Sequence, residues 1–348
     1  MGIARFTIEV GPPFRLDLTV WALRRRPHNT IDAWDGTTYT RTLEADASPV
    51  LVAVRQEGGE SEGVRLGVEV RRRGEAPSEA GIGEVRHTLE RMLGLGIDLA
   101  GFYELAAADE RLAGLAGRFR GVRPPRFASV FEALVNAVAC QQLSLTVGIH
   151  LLDRLAAAYG PEVELRGAPP GFPAAERLAA AELPHLRRLG FSVAKARTII
   201  GLARGVVSGT LGLDTLAQAD DEHAAAALVA LSGIGRWSAE YVLLRGLGRL
   251  GVLPGDDVGA RNNLRRRFEL PAPAGYDEVA TLTKSWWPYG GLVYFHLLLD
   301  DALARGGHLA AAAADPPSDG PASPRTFAVQ SGSRRPAASA RFGAGDVA

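Results

Sequence analysis

The spacing of apolar residues changes partway along the chain, and this change restricts the folds that the chain can adopt. In segments 14–20 and 64–70, apolar residues alternate with polar ones, as in strands with one face in solvent. Beyond Arg123-Pro124-Pro125, apolar residues recur at the period of a helix with one buried face. The helical pattern covers segments 127–138, 143–158, 194–207, 223–230, 237–247, 258–267 and 292–305.

The two patterns predict an α+β protein with a β-rich N-terminal domain followed by an all-α domain. We expect the first domain to cover residues 1–105, with an antiparallel sheet and at least one helix, at 83–95. The helical domain should cover residues 106–308. Residues 309–348 are rich in Ala, Ser, Pro, Gly and Arg and offer little apolar surface to bury, so we expect a disordered tail.

Charge and composition restrict the partners and the chemistry. The chain has 39 basic and 39 acidic residues and an isoelectric point near 7.1, so a nucleic acid would have to bind a local basic patch. The single Cys140 excludes a disulfide framework and a metal site built from cysteines. The sequence shows no signal peptide and no long apolar run, so we expect a cytoplasmic protein without a membrane segment.

A glycine-containing turn lies between two predicted helices, in segment 231–239. Gly233 and Gly235 allow close approach of the backbone, and the first amides of the second helix lack partners inside it. Such a turn can hold one phosphate through the backbone amides from Gly233 to Ser238. The alternative is a helical hairpin with a glycine cap and no ligand. A GxGxxG motif at 246–251 follows a helix rather than a strand, which argues against a dinucleotide site.

Four motifs follow one another in a characteristic order. They are Cys140-Gln141-Gln142-Leu143-Ser144, Leu231-Ser232-Gly233-Ile234-Gly235-Arg236-Trp237-Ser238-Ala239, Pro254-Gly255-Asp256-Asp257 and Trp286-Trp287-Pro288-Tyr289. With them the chain resembles the helix-hairpin-helix DNA glycosylases, and specifically the 3-methyladenine DNA glycosylase II family, from about Phe6 to Arg305. The ordered set is more specific than any one of the motifs.

The resemblance implies that Asp257 is the catalytic carboxylate and that Asp256 supports the start of the following helix. Cleavage of an N-glycosidic bond develops positive charge on the sugar, which a fixed anion stabilises, and the same carboxylate can orient or deprotonate the attacking water. From the residues alone, an N-cap and a partner of the helix dipole are the better explanation of the two aspartates. Family members that also cleave the strand place a lysine where Trp237 stands, and Lys195 and Lys284 lie outside the motif, which implies a monofunctional enzyme.

The resemblance also implies which residues contact the substrate. Trp237, Tyr241, Tyr289 and Gln141 would line the base pocket, where electron-rich rings suit a cationic, alkylated purine. A glutamine of the pair or Leu143 would enter the gap left by the flipped base. The predicted DNA-binding residues are Gln142, Leu143, Gly233, Ile234, Gly235, Arg236 and Ser238. Alternatively, each aromatic ring packs in the core and the glutamines bond to backbone groups.

The predicted function is hydrolysis of alkylated bases, 3-methyladenine foremost, by a monomer that acts on double-stranded DNA in base excision repair. The damaged base would flip out of the duplex, and its removal would leave an abasic site. We expect no organic cofactor and no bound metal, although the hairpin of the family can hold a monovalent cation through backbone carbonyls. Such a cytoplasmic enzyme would associate with the nucleoid. Two alternatives stay open: a non-catalytic protein that binds damaged DNA, and a glycosylase for oxidised or deaminated bases.

Overall fold

The computed structural model describes residues 1–59 and 63–304, and it combines an antiparallel sheet near the N-terminus with many helices. The strands are β1 (Gly2–Glu9), β2 (Ala33–Trp34), β3 (Thr38–Ala45), β4 (Ser48–Glu57) and β5 (Arg65–Arg72). They form a sheet in the order β1-β5-β4-β3-β2 with every pair antiparallel. The α+β class is therefore confirmed, and the alternating segment 64–70 lies in β5 as predicted.

The strand predicted at 14–20 is wrong, because this segment begins helix α1 (Leu16–Arg24). Leu16 and Val20 pack in a cluster with the sheet, whereas Leu18 and Trp21 pack in a second cluster with later helices. A helix that lies between two clusters is buried around its whole circumference, so its apolar residues show no single helical stripe. Asp17 is the polar exception, and its carboxylate forms an ion pair with Arg15.

The remaining helices follow the sheet or surround it. They are α2 (Glu79–Met92), α3 (Ala100–Ala107), α4 (Glu110–Arg118), α5 (Val130–Cys140), α6 (Leu145–Tyr159), α7 (Ala175–Ala179), α8 (Leu183–Arg188), α9 (Val193–Val207), α10 (Leu213–Gln218), α11 (Asp221–Val229), α12 (Arg236–Val242), α13 (Val258–Arg267), α14 (Tyr276–Lys284) and α15 (Gly290–Ala304). A π-helical turn, Leu243–Leu247, extends α12. Every helix predicted from the sequence is present within a few residues of its predicted bounds.

Helices α3, α4, α7, α8, α10 and α14, each of nine residues or fewer, were not predicted from the sequence. Gly248, with φ of +78°, ends the π-helical turn, which explains the glycines of the GxGxxG motif as a helix terminus. No helix in the described residues is long and apolar enough to cross a bilayer. The division at residue 105 stays a prediction, and the tail at 309–348 lies outside the described residues.

A buried ion network joins the sheet to α5. Arg41 of β3 is 1% exposed and donates to Asp32 Oδ1 over 2.5 Å and to Glu132 Oε2 over 2.6 Å. Tyr39 also donates to Asp32 Oδ1, over 2.8 Å. Burial raises the pKa of the Glu132 carboxyl, and Arg41 partly offsets this rise. The network holds α5 against the sheet, and α5 ends at Cys140, the first residue of the first of the four motifs.

Candidate active site

The glycine turn of segment 231–239 connects α11 to α12, as predicted. Gly233 has φ of +84°, and a β-carbon there would lie 2.2 Å from Thr198 Oγ1, so both backbone geometry and space require glycine. Ile234 is 5% exposed and anchors the turn in the core, and its amide donates to Leu231 O over 3.0 Å. The Ile234 amide is therefore already engaged within the turn. Gly235 is the N-cap of α12 and faces open space.

Asp257 lies at the N-terminus of α13, half-buried, and its two oxygens have different partners. Oδ1 accepts from the Ala260 amide over 2.8 Å and so caps the helix. Oδ2 accepts from Trp237 Nε1 over 3.1 Å and lies 3.5 Å from the Tyr294 hydroxyl. One carboxylate is thus both the helix cap and a hydrogen-bond acceptor for two aromatic side chains.

Asp257 is the N-cap of α13, and Asp256 supports the helix start through an ion pair with Arg261 of the first turn. The Asp256 carboxylate pairs with both Arg236 and Arg261, each over 2.6 Å. The Arg236 guanidinium also lies 3.5 Å from the ring centre of Tyr276. These contacts fasten the hairpin to the turn that carries Asp257, and they occupy the guanidinium that was predicted to contact DNA.

Glu240 of α12 holds the same turn from its other side. Its two carboxylate oxygens accept from the Gly255 amide over 2.9 Å and from the Tyr276 hydroxyl over 2.6 Å. Burial raises the pKa of Glu240, and the hydrogen bond to that carboxylate raises the pKa of Tyr276 to about 12. The phenol is therefore neutral and a donor at ordinary pH. The position of Asp257 is fixed by the hairpin helix as well as by its own helix.

The predicted pocket rings differ in their surroundings. Trp237 is half-buried and stacks on Tyr241, with ring centres 5.2 Å apart and an angle of 27° between the planes. Tyr241 is only 3% exposed, and its hydroxyl accepts from Arg25 Nη1 over 2.6 Å. The structure thus places Tyr241 behind Trp237, as core support, and burial raises the pKa of its phenol.

Tyr289 packs against α3 rather than beside Asp257. Its ring meets Phe102 edge-on, with ring centres 6.0 Å apart. Among the described aromatic residues, Trp237 and Tyr294 are the ones within hydrogen-bond distance of Asp257. Tyr294 lies on α15 and was not predicted from the sequence. Burial raises the pKa of Tyr294 well above its ordinary value, so its hydroxyl is a neutral donor toward the carboxylate.

The glutamine motif lies between α5 and α6, next to the hairpin. Gln141 Nε2 donates to Gly233 O over 2.9 Å and to Ser238 Oγ over 2.6 Å. The amide is therefore tied to the hairpin, which is the backbone role that the sequence left open for it. Gln142 has φ of +53°, a left-handed conformation unusual for a side-chain-bearing residue, and it is exposed. Leu143 is 43% exposed beside it.

Lys195 has a structural position. Its ammonium donates to the carbonyl oxygens of Ala139, over 2.8 Å, and Gln141, over 2.6 Å. These carbonyls belong to the end of α5 and to the residue after it, where helices lack internal partners. Partial burial lowers the pKa of Lys195. Lys284 lies exposed at the end of α14.

Two buried arginines contact Tyr241 of the ring cluster formed by Trp237 and Tyr241, and they were not predicted from the sequence. Arg25 is 3% exposed and donates to Asn136 Oδ1 over 2.7 Å in addition to its bond to Tyr241. Arg245 is fully buried among the rings of Phe127, Tyr241 and Phe295, and burial lowers its pKa. Neither arginine has a carboxylate partner within the described part of the chain. Arg25 lies more than two hundred residues before Tyr241, so no local pattern could have indicated this pairing.

Comparisons with known proteins show what the chain is similar to. Residues 135–289 match the family model described as "HhH-GPD superfamily base excision DNA repair protein". This range contains all four motifs. The chain is 31% identical over 215 residues to a DNA-3-methyladenine glycosylase of Bacillus subtilis, covering 62% of this chain and 71% of the relative. It is 30% identical over 217 residues to DNA-3-methyladenine glycosylase 2 of Escherichia coli, covering 59% and 75%.

A solved structure is similar over most of the chain. The 3-methyladenine DNA glycosylase of Archaeoglobus fulgidus superposes with a TM-score of 0.75 at 27% identity. The match covers 86% of this chain and 98% of that protein, so it includes the N-terminal sheet as well as the helices.

Proposed function

The chain belongs to the HhH-GPD superfamily of base excision DNA repair proteins, among the 3-methyladenine DNA glycosylases, and from this premise we propose its reaction. The protein hydrolyses the N-glycosidic bond between an alkylated purine and its deoxyribose in double-stranded DNA. Its products are the free base and an abasic site. The observation that carries the proposal is the Asp257 carboxylate, which is held by its own helix on one oxygen and by Trp237 on the other.

The proposed chemistry uses Asp257 as a fixed anion. As the bond to the base breaks, positive charge develops on the sugar, and a carboxylate already in place stabilises it without reorganisation. Half-burial makes this attraction stronger than it would be in bulk water. The oxygen that faces Trp237 and Tyr294 is the one available to orient the attacking water.

The proposed base site is the face of Trp237. An alkylated purine carries positive charge, and a cation over an aromatic face gains about 0.5–2 kcal/mol. Tyr241 supports the indole from behind, while Arg25 fixes Tyr241 through its hydroxyl. For Tyr289 a place in the pocket stays a prediction, since in this structure its ring packs on α3.

The proposed DNA contacts come from the hairpin and the glutamine motif. The first-turn amides of α12, after the Gly235 cap, would bind one phosphate. Gln142 and Leu143 are the exposed pair from which one side chain would fill the gap in the duplex. A monovalent cation would lie on hairpin carbonyls such as Gly233 O, which retains a lone pair beside the Gln141 bond.

We propose that the enzyme does not cleave the DNA strand. The position where a Schiff-base lysine would stand is Trp237, and the Lys195 ammonium is bound to two backbone carbonyls. It would act as a monomer on nucleoid DNA. Strand breaks formed without alkali or heat, by protein free of nuclease, would contradict this part of the proposal.

The test compares wild-type protein with Asp257→Asn on duplexes that contain a methylated purine, under single-turnover conditions. Asparagine is as good an N-cap as aspartate, so the helix start is retained while the negative charge is removed. We expect release of the methylated base to fall by about a hundredfold or more. Wild-type rates in Asp257→Asn would refute the catalytic role. Absence of base release by the wild type would favour a damage-binding protein, and release restricted to oxidised or deaminated bases would change the substrate class.

A further inference from the structure

Three side chains with metal-binding atoms meet at a place separate from Asp257. His28 lies in the segment after α1, while His150 and Asp153 lie one turn apart on α6. One ligand atom of each lies within 4.8 Å of the others. The two imidazole rings stack, with centres 4.1 Å apart and planes at 22°. We propose that these three residues bind one divalent transition-metal ion of the zinc class.

The surroundings of His28 support a ligand at this place. Its Nε2 atom is buried and has no hydrogen-bond partner in the structure. A buried polar atom without a partner is unfavourable, and such atoms in native proteins usually find a protein group, a water or an ion. Coordination of an ion would satisfy this nitrogen.

Asp153 is oriented as metal-binding carboxylates commonly are. Its Oδ1 accepts from the Thr30 amide over 2.9 Å and from the Thr30 hydroxyl over 2.8 Å. These bonds hold the carboxylate in place, as hydrogen bonds to metal-binding carboxylates commonly do. His150 precedes Asp153 by three residues, so both side chains project from the same face of α6.

The donor set determines the class of ion. Two imidazole nitrogens and one carboxylate oxygen suit Zn²⁺, Co²⁺ or Ni²⁺, whereas Mg²⁺ and Ca²⁺ prefer oxygen donors throughout. Bonds of about 2.0–2.2 Å require the three groups to move closer together. His150 is exposed and can rotate to do so. Water would complete the coordination.

Binding would be structural, and it would act on a segment that reaches the ring cluster. His28 and Thr30 follow Arg25, whose guanidinium bonds to Tyr241. On the other side, α6 begins two residues after Leu143, with Ser144 as its N-cap. An ion at His28, His150 and Asp153 would therefore fasten the segment that carries Arg25 to the helix that follows the exposed Gln142–Leu143 pair.

The experiment uses the full chain without a polyhistidine tag, stripped with a chelator and then titrated with Zn²⁺ against a chromogenic chelator. We expect one ion per chain with micromolar or tighter affinity, and a rise in the melting temperature on saturation. His150→Ala should weaken binding at least tenfold and abolish the rise. Because His150 is exposed, the melting temperature of the metal-free variant should equal that of the wild type.

The matched control is His223→Ala, which removes an exposed helix histidine that pairs with Asp220 instead. It should bind Zn²⁺ as the wild type does. Asp153→Asn provides a second variant, with similar shape and weaker coordination, and should also lose affinity. Absence of stoichiometric binding, unchanged affinity in His150→Ala, or an equal loss in His223→Ala would each overturn the proposal. None of these outcomes depends on base excision.

Discussion

Arg41 gives the sharpest test of how the sheet and α5 are held together. Its guanidinium is 1% exposed and bonds to Asp32 and Glu132, whose side chains are each 3% exposed. Arg41→Leu removes the cation, so the buried Glu132 loses its ion-pair partner and Asp32 retains only uncharged donors such as Tyr39. Breaking a buried ion pair by removing one partner costs about 3–5 kcal/mol, so we expect a loss of unfolding free energy in that range.

The loss should depend on pH in a definite direction. Burial raises the pKa of Glu132 in the folded protein above its ordinary value, so this carboxyl favours the folded state most when protonated. Without Arg41 the pKa of Glu132 rises further, because the positive charge and the hydrogen bond that lower it are lost. The loss of unfolding free energy in Arg41→Leu should therefore be largest near pH 7 and become smaller as the pH falls toward 5.

The assay is urea unfolding followed by circular dichroism at both pH values, with Arg5→Leu as control. Arg5 pairs with Glu69 at the surface and is 69% exposed, so its loss should cost less than about 1 kcal/mol. Combining Arg41→Leu with Asp32→Asn and Glu132→Gln should recover part of the stability, since the unpaired charges are removed. A deficit equal to that of Arg5→Leu, or one independent of pH, would refute the reasoning.

Two further predictions concern the helices around Asp257. Trp237→Phe retains a ring over Tyr241 but removes the indole N–H that donates to Asp257. Because a hydrogen bond to a charged group is worth about 1.5–3 kcal/mol, base release should slow roughly 10- to 150-fold. An unchanged single-turnover rate would contradict this prediction. His296 is buried, and burial lowers its pKa from 6.5 to about 4. As the pH falls between these two values, the imidazole is protonated in the unfolded chain but not in the folded protein. The unfolding free energy of the wild type should therefore fall by about 3 kcal/mol over this pH range. His296→Leu should flatten that part of the stability profile in urea unfolding, and an identical slope would count against it.

The fold was predictable where one helix face or one strand face is buried. Helix α13 begins and ends at the predicted residues, 258 and 267, and β5 contains the predicted alternation. Helix α1 was misread because both sides of it are buried, which removes the contrast that periodicity measures. Short helices such as α7 and α8 depend on tertiary packing and carry little pattern of their own.

The candidate site was predictable only where a motif carries it. Asp257 and Trp237 were singled out by the motifs, and the structure brings them within 3.1 Å. Tyr294 and Arg25 meet the same cluster from distant parts of the chain, and a buried arginine without an acidic partner runs against the usual distribution of charge. The sequence could not say which aspartate of the pair is the helix cap, because either of the two can accept from a first-turn amide, and the structure shows that it is Asp257.

The hydrogen bonds of Gln141 have a consequence for how the protein would measure position along DNA. Its amide joins the turn that carries Gln142 and Leu143 to the hairpin carbonyl of Gly233, so hydrogen bonds fasten the two surfaces to each other. Under the proposed function, the gripped phosphate and the interrupted base stack would be separated by a constant number of nucleotides. The protein would bind the strand in a single register. A lesion one nucleotide away from the base site would not be bound until the protein moved along the DNA by one nucleotide.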